Sequence, residues 1–379
     1  MAADTALTRA MPWTNSVSAT ARSGAPDVSE PQSELAEPRP QHVYQFVVMA
    51  FDRATGDEVW RTQVAEAVPC ICADELLTGD RDHLLDAVRH ACTGIGFFYV
   101  DLTSSQRNVI SATLYQIERF FLLGDHDPRK QNARQSERDY GWVPKYSEPA
   151  YQPGTVSCLE AFDFGLANVE DTDVGIWPEL PGFRNEVTGC WAEFTVLSDA
   201  ILEVVAKAAE MEPNFLFERC NSRSQNTMRL LHYAADTATS TDKEVGISAH
   251  TDFECITLLY QTASGLELLD IDGRWLDAPA RDGRIVVLLG DMLERWTNGV
   301  FKATGHRVRK TAEQRFSIVL FVAANEHIEI APQPQFVSAG APSRYTPITQ
   351  AQHIENEVRR AKENAADLIA PVDQRGEQG

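Results

Sequence analysis

The stretch SAHTDFECITLLYQ, from Ser248 to Gln261, places a histidine and an aspartate two residues apart ahead of an apolar run. The stretch predicts a single β-strand, in which the side chains of His250 and Asp252 point to the same face, because strand side chains alternate. An imidazole and a carboxylate beside apolar residues need polar partners. A shared metal ion would satisfy both side chains, whereas an ordinary hydrogen-bonded residue is the alternative for either one alone.

A third metal ligand would have to come from a distant part of the chain. In the strand-rich region downstream, the candidates are His306 and His327, because His353 falls in a helical pattern near the end. His306, in FKATGHRVRK, has small and apolar neighbours on its predicted strand face, whereas His327 stands beside charged residues. We therefore predict His250, Asp252 and His306 as metal ligands and catalytic residues. Two histidines and one carboxylate form the ligand set typical of non-haem iron(II) oxygenases.

An arginine also lies in an apolar segment, QRFSIVLFVAA, near the end of the strand-rich region. Arg315 and Ser317 would share a strand face, and no acidic residue follows them in this segment before Glu326. Burying a guanidinium is costly unless an anion pairs with it. A guanidinium with a hydroxyl two residues later predicts a carboxylate-binding site, unless the arginine lies in water at the open end of the strand.

Composition and charge narrow the classes of partner. The chain has 379 residues, a net charge of −21 and a sequence pI of about 4.8. Nucleic acid and anionic membrane both call for basic patches, so we expect neither and predict a small-molecule substrate, with the oligomeric state open. The seven scattered cysteines favour a reducing, cytoplasmic location over a disulfide scaffold. No apolar run is long enough for a membrane span, and the N-terminus lacks the hydrophobic core of a signal peptide.

The N-terminal half is mainly helical in pattern. Residues 1–40, rich in Ala, Ser, Thr and Pro, are predicted to be disordered. Residues 43–63 alternate around a turn at 55–57 and predict a β-hairpin. Helical patterns follow from Arg81, from Ser104 to Leu122 with Ser104 or Ser105 as cap, and from Phe183 to Met211.

After Asn226 the pattern changes to short strands separated by turn residues. The strands are TMRLLHYA, CITLLYQ, LELLDI, RWLDAP, RIVVLLGD, FKATGHRVR and RFSIVLFVA. Such close spacing predicts a sandwich or barrel, followed by a charged helix from Thr349 to about Leu368. We expect a hairpin and helical region over 41–220, a strand region over 221–335, and a C-terminal helix and tail over 336–379. Residues 41–370 are predicted to form one compact unit.

Taken together, His250-Thr251-Asp252, His306 and Arg315-Phe316-Ser317 resemble the isopenicillin N synthase-like branch of the iron(II)- and 2-oxoglutarate-dependent dioxygenases in order, spacing and flanking sequence. The segments GLELLDIDGRWLDAP, GDMLERWTNG and KATGHRV are similar to those between the metal ligands of that family. The similarity is looser at GIGFFYV, YGWVP and EAFDFG.

The resemblance implies a distorted double-stranded β-helix, or jelly roll, mostly β with a helical N-terminal half and flanking helices. Carried over residue by residue, the family's roles fall on His250, Asp252 and His306 for iron(II), and on Arg315, Ser317 and Tyr233 for 2-oxoglutarate. The implied reaction uses O2 to oxidise a C–H bond of a small organic metabolite, in the first place by hydroxylation, while 2-oxoglutarate is decarboxylated to succinate. Secondary metabolism is the expected setting.

The chain departs from the family near the cosubstrate. Leu231 stands where many members have asparagine, and Ala234 stands where they have proline. Two alternatives stay open, namely a cosubstrate-free oxidase of the isopenicillin N synthase type and a non-catalytic jelly-roll protein that binds a metal or metabolite. We expect substrate contacts from the helical half, from the strand around Tyr140–Trp142, and from the loop with Trp296 and Asn298.

Overall fold

The computed structural model describes residues 50–51, 58–59, 68–79, 81–134, 140–148, 151–170, 175–235, 244–270 and 273–369. The tail over 1–40 and the turn predicted at 55–57 lie outside these ranges. Ala50–Phe51 pairs antiparallel with Glu58–Val59, in agreement with the predicted hairpin.

Two of the five sheets that the described strands form face each other. In chain order the described strands are β1 Ala50–Phe51, β2 Glu58–Val59, β3 Cys70–Cys72, β4 Phe97–Asp101, β5 Gly141–Val143, β6 Val156–Ser157, β7 Leu159–Gly165, β8 Thr227–Tyr233, β9 Glu244–Val245, β10 Ile247–His250, β11 Ile256–Gln261, β12 Leu266–Leu269, β13 Trp275–Asp277, β14 Arg284–Leu289, β15 His306–Val308, β16 Arg315–Val322, β17 Glu329–Ile330 and β18 Ile348–Thr349. Among them, the larger sheet has the order β3-β4-β14-β11-β16-β8-β7-β5, and the smaller sheet has the order β10-β15-β12-β13. This arrangement is the predicted double-stranded β-helix.

Strand alternation gives the larger sheet two apolar faces. In β4, Phe97 and Tyr99 belong to the core between the two sheets, whereas Phe98 and Val100 belong to the core under the helices. In β11, Leu259 likewise belongs to the core between the two sheets, whereas Leu258 and Tyr260 belong to the core under the helices. The larger sheet therefore lies between the smaller sheet and a helical layer, and its inner face is left to line a cavity.

The helices of the N-terminal half supply that layer. In chain order the described helices are α1 Ala73–Thr78, α2 Leu85–Thr93, α3 Ser104–Phe121, α4 Pro128–Asn132, α5 Leu166–Glu170, α6 Phe183–Ala208, α7 Phe215–Cys220, α8 Asp291–Trp296 and α9 Gln350–Ile369. The long helix α6 packs against α1, α2, α3 and α7. No helix in the described ranges combines the length and apolar character needed to cross a membrane.

The cap of α3 differs from the prediction by one residue. Thr103 precedes the helix, and its Oγ1 accepts a hydrogen bond from the backbone N–H of Gln106 at 3.2 Å. The side-chain Oε1 of Gln106 in turn accepts from the backbone N–H of Thr103 at 3.0 Å. This reciprocal capping box needs a glutamine three residues after the cap, which selects Thr103 over Ser104 or Ser105.

The larger sheet takes strands from both sides of the predicted boundary at residue 220. Strands β3, β4, β5 and β7 precede that residue, and β8, β11, β14 and β16 follow it. The boundaries over 41–220, 221–335 and 336–379 stay a prediction, and they describe segments of sequence that share one sheet.

A buried ionic cluster ties α4 to the outer face of the larger sheet. Lys130 Nζ lies 2.8 Å from Glu160 Oε2, and the two side chains are 1% and 2% exposed. Trp142 Nε1 donates to Glu160 Oε2 at 2.9 Å, and His232 Nδ1 lies 2.7 Å from Glu160 Oε1. Burial raises the pKa of Glu160, but the bonds from His232 and Lys130 outweigh burial and hold it below its usual range.

We expect Glu160→Gln to lower the free energy of unfolding by about 3 kcal/mol near neutral pH, because the buried Lys130 would keep only the exposed Asp125, at 3.5 Å, as a counterion. The folded pKa of Glu160 lies below its unfolded value of about 4.3. The stabilisation is therefore complete above that value and is lost as the pH falls through the folded pKa. Urea unfolding of variant and wild type should show a difference that narrows in acid.

The matched control is Glu118→Gln, because Glu118 is exposed on α3. This control should leave the free energy of unfolding within about 0.5 kcal/mol of wild type. A Glu160→Gln effect that is small, or that stays constant from neutral to acid pH, would contradict the role of the buried pair.

Candidate metal centre and cosubstrate pocket

The three predicted metal ligands converge at the edge of the smaller sheet. His250 ends β10, His306 begins β15, and the two residues pair across these antiparallel strands. The ligand atoms of His250, Asp252 and His306 all lie within 4.8 Å of one another. Nε2 of His250 is 3.8 Å from Asp252 Oδ1, and Nε2 of His306 is 3.6 Å from the same oxygen. Three donors therefore surround one point.

Hydrogen bonds orient each of these donors. His250 Nδ1 lies 2.8 Å from the carbonyl oxygen of Ser248, and His306 Nδ1 lies 3.0 Å from that of Thr304. Because a carbonyl only accepts, each Nδ1 carries the proton and each Nε2 presents a lone pair. Thr257 Oγ1 donates to Asp252 Oδ2 at 2.5 Å, which leaves Oδ1 toward the two imidazoles.

The protonation state of His250 also suits a metal. Burial, with a smaller contribution from His306, lowers the pKa of His250 to about 3, although Asp252 acts in the opposite direction. The imidazole is therefore neutral at physiological pH, and the neutral form is the one that binds a metal ion. The donor set, its tautomers and its burial fit iron(II).

The prediction of a single strand over 248–261 is wrong. Strand β10 ends at His250 in the smaller sheet, and β11 begins at Ile256 in the larger one. Residues 251–255 cross between the two sheets, so Asp252 lies in a bend. Its carboxylate meets the histidines because the chain turns there, and the alternation of one strand does not apply.

The bend is held by the turn that leads into α8. The backbone N–H of Asp291 donates to the carbonyl of Asp252 at 2.9 Å, and that of Gly290 donates to Cys255 at 2.9 Å. A Cβ at Gly290 would lie 2.2 Å from the carbonyl oxygen of Glu254. Only glycine allows this approach, which fixes the position of the Asp252 carboxylate.

The predicted carboxylate cradle lies deep on the inner face of β16. Arg315 and Ser317 are fully buried. Arg315 donates to Ala263 O at 3.1 Å and to Gln261 Oε1 at 2.8 Å, and no carboxylate pairs with it in the described part of the chain. Arg315 Nη1 and Ser317 Oγ have no hydrogen-bond partner among the described residues. Buried donors seldom stay unpaired, so these two fit a bound carboxylate.

Tyr233 completes the cradle from the neighbouring strand. It pairs with Arg315 across β8 and β16, and the guanidinium carbon lies 4.6 Å from the centre of the tyrosine ring. Burial raises the pKa of Tyr233, with Arg315 acting in the opposite direction. A single cavity of about 120 Å³ is lined by all six predicted site residues. The metal ligands and the cradle thus open into the same space.

The predicted substrate contacts fall elsewhere. Tyr140, Trp142, Trp296 and Asn298 do not line this cavity. Trp142 and Trp296 pack in the core under the helices. Strand alternation directs Trp142 away from the cavity, and the α8 turn directs Trp296 away from it. The predicted contacts from these residues are therefore wrong.

Tyr151, Thr257 and Arg229 contribute to the cavity wall, and sequence reasoning missed them. Arg229 carried the same signal as Arg315, namely a charged residue in an otherwise apolar strand. Tyr151 stacks on the His250 ring with centroids 4.6 Å apart, a contact that brings together residues 99 positions apart and leaves no local pattern.

The C-terminal helix α9 reaches the metal-binding bend. Gln350 Nε2 donates to the carbonyl of Phe253 at 2.9 Å, while Gln350 Oε1 accepts from the backbone N–H of Ala324 at 3.0 Å. His353 Nε2 lies 2.7 Å from Asp291 Oδ2, beside the backbone that supports Asp252. His353 lies outside the cluster of His250, Asp252 and His306, and it bonds to the residue whose backbone N–H holds the bend.

The same helix also touches the other side of the centre. Asn364 Nδ2 donates to the carbonyl of Tyr151 at 3.4 Å, and Tyr151 stacks on His250. The helix α9 therefore contacts both the bend that carries Asp252 and the tyrosine that stacks on His250.

Comparison with known proteins agrees with this site. Residues 225–324 match the 2OG-Fe(II) oxygenase superfamily, and residues 68–180 match the N-terminal region named for the non-haem dioxygenase in morphine synthesis. The chain is 29% identical over 296 residues to the 2-oxoglutarate-Fe(II) type oxidoreductase hxnY of Emericella nidulans, covering 73% of this chain and 83% of that protein. It is 30% identical over 264 residues to a 2-oxoglutarate-dependent dioxygenase of Didymella fabae, covering 64% of this chain and 80% of that protein.

A solved structure of a Caulobacter crescentus protein, described as of the 2OG-Fe(II) oxygenase family, superposes with a TM-score of 0.67 at 26% identity, covering 78% of this chain and 99% of that one. Fold and site define a double-stranded β-helix protein with a two-histidine, one-carboxylate centre. The chain belongs to the 2OG-Fe(II) oxygenase superfamily. It is an enzyme that uses iron(II), 2-oxoglutarate and O2 to oxidise a small organic metabolite. The cytoplasmic location and the lack of a nucleic-acid partner stay predictions.

We expect Thr257→Val to weaken metal binding by about 10- to 100-fold, because the variant keeps the side-chain shape but releases Asp252 Oδ2. Anaerobic titration with Fe(II), or with Co(II) as a spectroscopic probe, measures the dissociation constant. The control is Thr195→Val, on α6. It also removes a buried threonine hydroxyl, one that donates a hydrogen bond to the carbonyl of Trp191. Equal metal affinity in the two variants would contradict the orienting role of Thr257.

We expect Gln350→Glu to weaken metal binding by about 10-fold, at the lower end of the range for residues that support metal ligands. The variant keeps the acceptor for Ala324, and it replaces the donor to Phe253 with a buried carboxylate oxygen that repels the Phe253 carbonyl. The Co(II) absorption spectrum should also change, because the Asp252 carboxylate would shift. The exposed Arg359→Ala on the same helix is the control, and an unaltered spectrum in Gln350→Glu would count against the support by α9.

Proposed function

We propose that this enzyme hydroxylates a C–H bond of its substrate, with His250, Asp252 and His306 holding iron(II). Arg315 and Ser317 bind the distal carboxylate of 2-oxoglutarate, and Tyr233 contacts the same cosubstrate. The observation that carries the proposal is the pair of unpartnered buried donors, Arg315 Nη1 and Ser317 Oγ, in the cavity that the three metal ligands share.

Each residue of the cavity has a definite part in this reaction. His250 Nε2, His306 Nε2 and Asp252 Oδ1 would hold the metal, and a centre with only three protein ligands would leave positions for the cosubstrate and O2. Arg315 and Ser317 fix the far end of the dicarboxylate and so set the direction in which its keto acid end points. Bound iron(II), 2-oxoglutarate and O2 supply the oxidation, with release of CO2 and succinate.

The apolar residues of the cavity keep the reacting groups dry. Leu231, Leu259 and Val319 line the space between the cradle and the metal ligands. Leu231 stands where many members of the family have asparagine, so it contributes no hydrogen bond to the cosubstrate here. Arg315, Ser317 and Tyr233 would therefore provide the polar contacts of the distal end.

Anaerobic addition of iron(II) and then 2-oxoglutarate to metal-free protein should produce the weak visible charge-transfer band of a chelated keto acid. We expect His250→Ala to abolish the band. Ser317→Ala should raise the dissociation constant of 2-oxoglutarate by about 10-fold, because one hydrogen bond to a charged group is lost. Arg315→Gln should raise it further, by about 100-fold, with metal affinity unchanged in both variants.

Ser198→Ala provides the control, because Ser198 is a buried serine on α6 outside the cavity. Succinate formed in proportion to O2 consumed separates a 2-oxoglutarate-dependent enzyme from a cosubstrate-free oxidase. A band that survives His250→Ala, or 2-oxoglutarate affinity that is the same in Ser317→Ala and Ser198→Ala, would contradict the assignment of these residues.

A further inference from the structure

Arg229 lies in the cavity wall and has no part in binding the metal or the cosubstrate. It precedes Leu231 and Tyr233 on the inner face of β8 and lines the same cavity. Its strand partner on β16 is Val319, two residues beyond Ser317. Because alternate residues share a face, Arg229 lies on the same face of β8 as Tyr233, two alternations along the strand.

Two buried carboxylates hold the guanidinium of Arg229. Nε and Nη2 donate to Asp163 at 2.9 and 3.0 Å. Nη1 and Nη2 donate to Glu148 at 2.8 and 3.0 Å. A guanidinium has five N–H groups, and these bonds use four of them. One N–H on Nη1 is left without an acceptor among the described residues.

The hydroxyl of Tyr151 also donates to Glu148, at 3.0 Å. The Tyr151 ring stacks on His250, so this contact connects the Arg229 cluster to the metal centre. The side chains of Glu148 and Asp163 are 2% and 7% exposed, and that of Arg229 is 15% exposed. Four hydrogen bonds hold the guanidinium, and the Arg229 side chain is more exposed than either carboxylate.

The charges of this cluster do not favour an anion. One guanidinium and two carboxylates leave one unit of negative charge. Among the described residues of the cavity wall, the other arginine or lysine is Arg315, which faces the cosubstrate. A carboxylate or phosphate of a substrate would meet excess negative charge and a single free donor. A neutral oxygen needs one donor and has no charge to desolvate.

We propose that Arg229, held by Glu148 and Asp163, is a specificity-determining residue that binds a neutral acceptor oxygen of the substrate. The substrate class is a molecule whose carbonyl, amide or hydroxyl oxygen accepts the remaining N–H of Arg229, and carboxylic acids and phosphates are disfavoured at this position. The inference rests on the proposed function, because it assigns the free part of the same cavity to the substrate.

The test uses protein loaded with Zn(II) and 2-oxoglutarate, because this complex can bind a substrate but cannot oxidise it. Calorimetric titration compares amides with acids of the same shape, namely acetamide with acetate, benzamide with benzoate, and 2-naphthamide with 2-naphthoate. We expect at least one amide to bind at millimolar concentration, and about tenfold more tightly than its acid. Glu148→Gln and Asp163→Asn should each reduce this ratio about tenfold, because each removes one negative charge and releases an N–H of Arg229.

Glu118→Gln, an exposed change of equal charge, should leave the ratio as it is in wild type. The inference is overturned if the acids bind as tightly as the amides, or if no amide binds at all. It is also overturned if both cluster variants fold and the ratio of acid to amide affinity stays unchanged in them. Wild-type protein tests the preference even if a cluster variant does not fold. The anaerobic iron(II) band reports on the proposed function separately, so a normal band with equal affinities refutes the substrate preference alone.

Discussion

The buried guanidinium of Arg315 is the constraint around which the catalytic half of this protein is organised. A charge out of water needs compensation, and here the protein gives it a carbonyl, an amide oxygen and a tyrosine ring, but no carboxylate among the described residues. The compensation is incomplete, because Arg315 Nη1 and the neighbouring Ser317 Oγ have no hydrogen-bond partner among the described residues. In our proposal a dicarboxylate cosubstrate would complete it, and the predicted metal ligands lie in the same cavity, where the other end of that molecule would meet the metal.

The two faces of β8 and β16 have different tasks. On the inner face, Tyr233, Arg315 and Ser317 form the cradle. On the outer face, His232 stacks on Phe316 with ring centroids 4.9 Å apart, and His232 bonds to the buried Glu160. Because these residues alternate along the same two strands, the ionic cluster under the helices keeps the cradle residues in register. Stability on one side of the sheet and binding on the other are thus linked through the backbone.

Much of the fold and the core of the site could be predicted from the sequence. Period-two and helical patterns located the strands after residue 226 and the helices α3, α6 and α9 to within a few residues. The identities of His250, Asp252 and His306 followed from residue type and order, and Arg315 stood out as a charge in an apolar strand. These features depend on local chemistry, which the sequence displays directly.

The parts that were missed depend on contacts between distant segments. The sequence predicts strand over 251–255 because Phe253 and Cys255 continue the alternation of apolar residues. In the structure the chain passes from one sheet to the other there. The Arg229 cluster draws Glu148 from a loop and Asp163 from β7, and neither residue is unusual in its own segment. Trp142 and Trp296 look like substrate contacts by type, and only the direction of their strand and helix decides otherwise.

The dependence of the bend on α9 has a consequence for how the protein is made. Phe253 and Gln350, which hydrogen-bond to each other, are 97 residues apart in the chain. During translation the three metal ligands leave the ribosome well before the helix that steadies them. Iron captured before α9 is in place would meet a bend that lacks its hydrogen bond from Gln350.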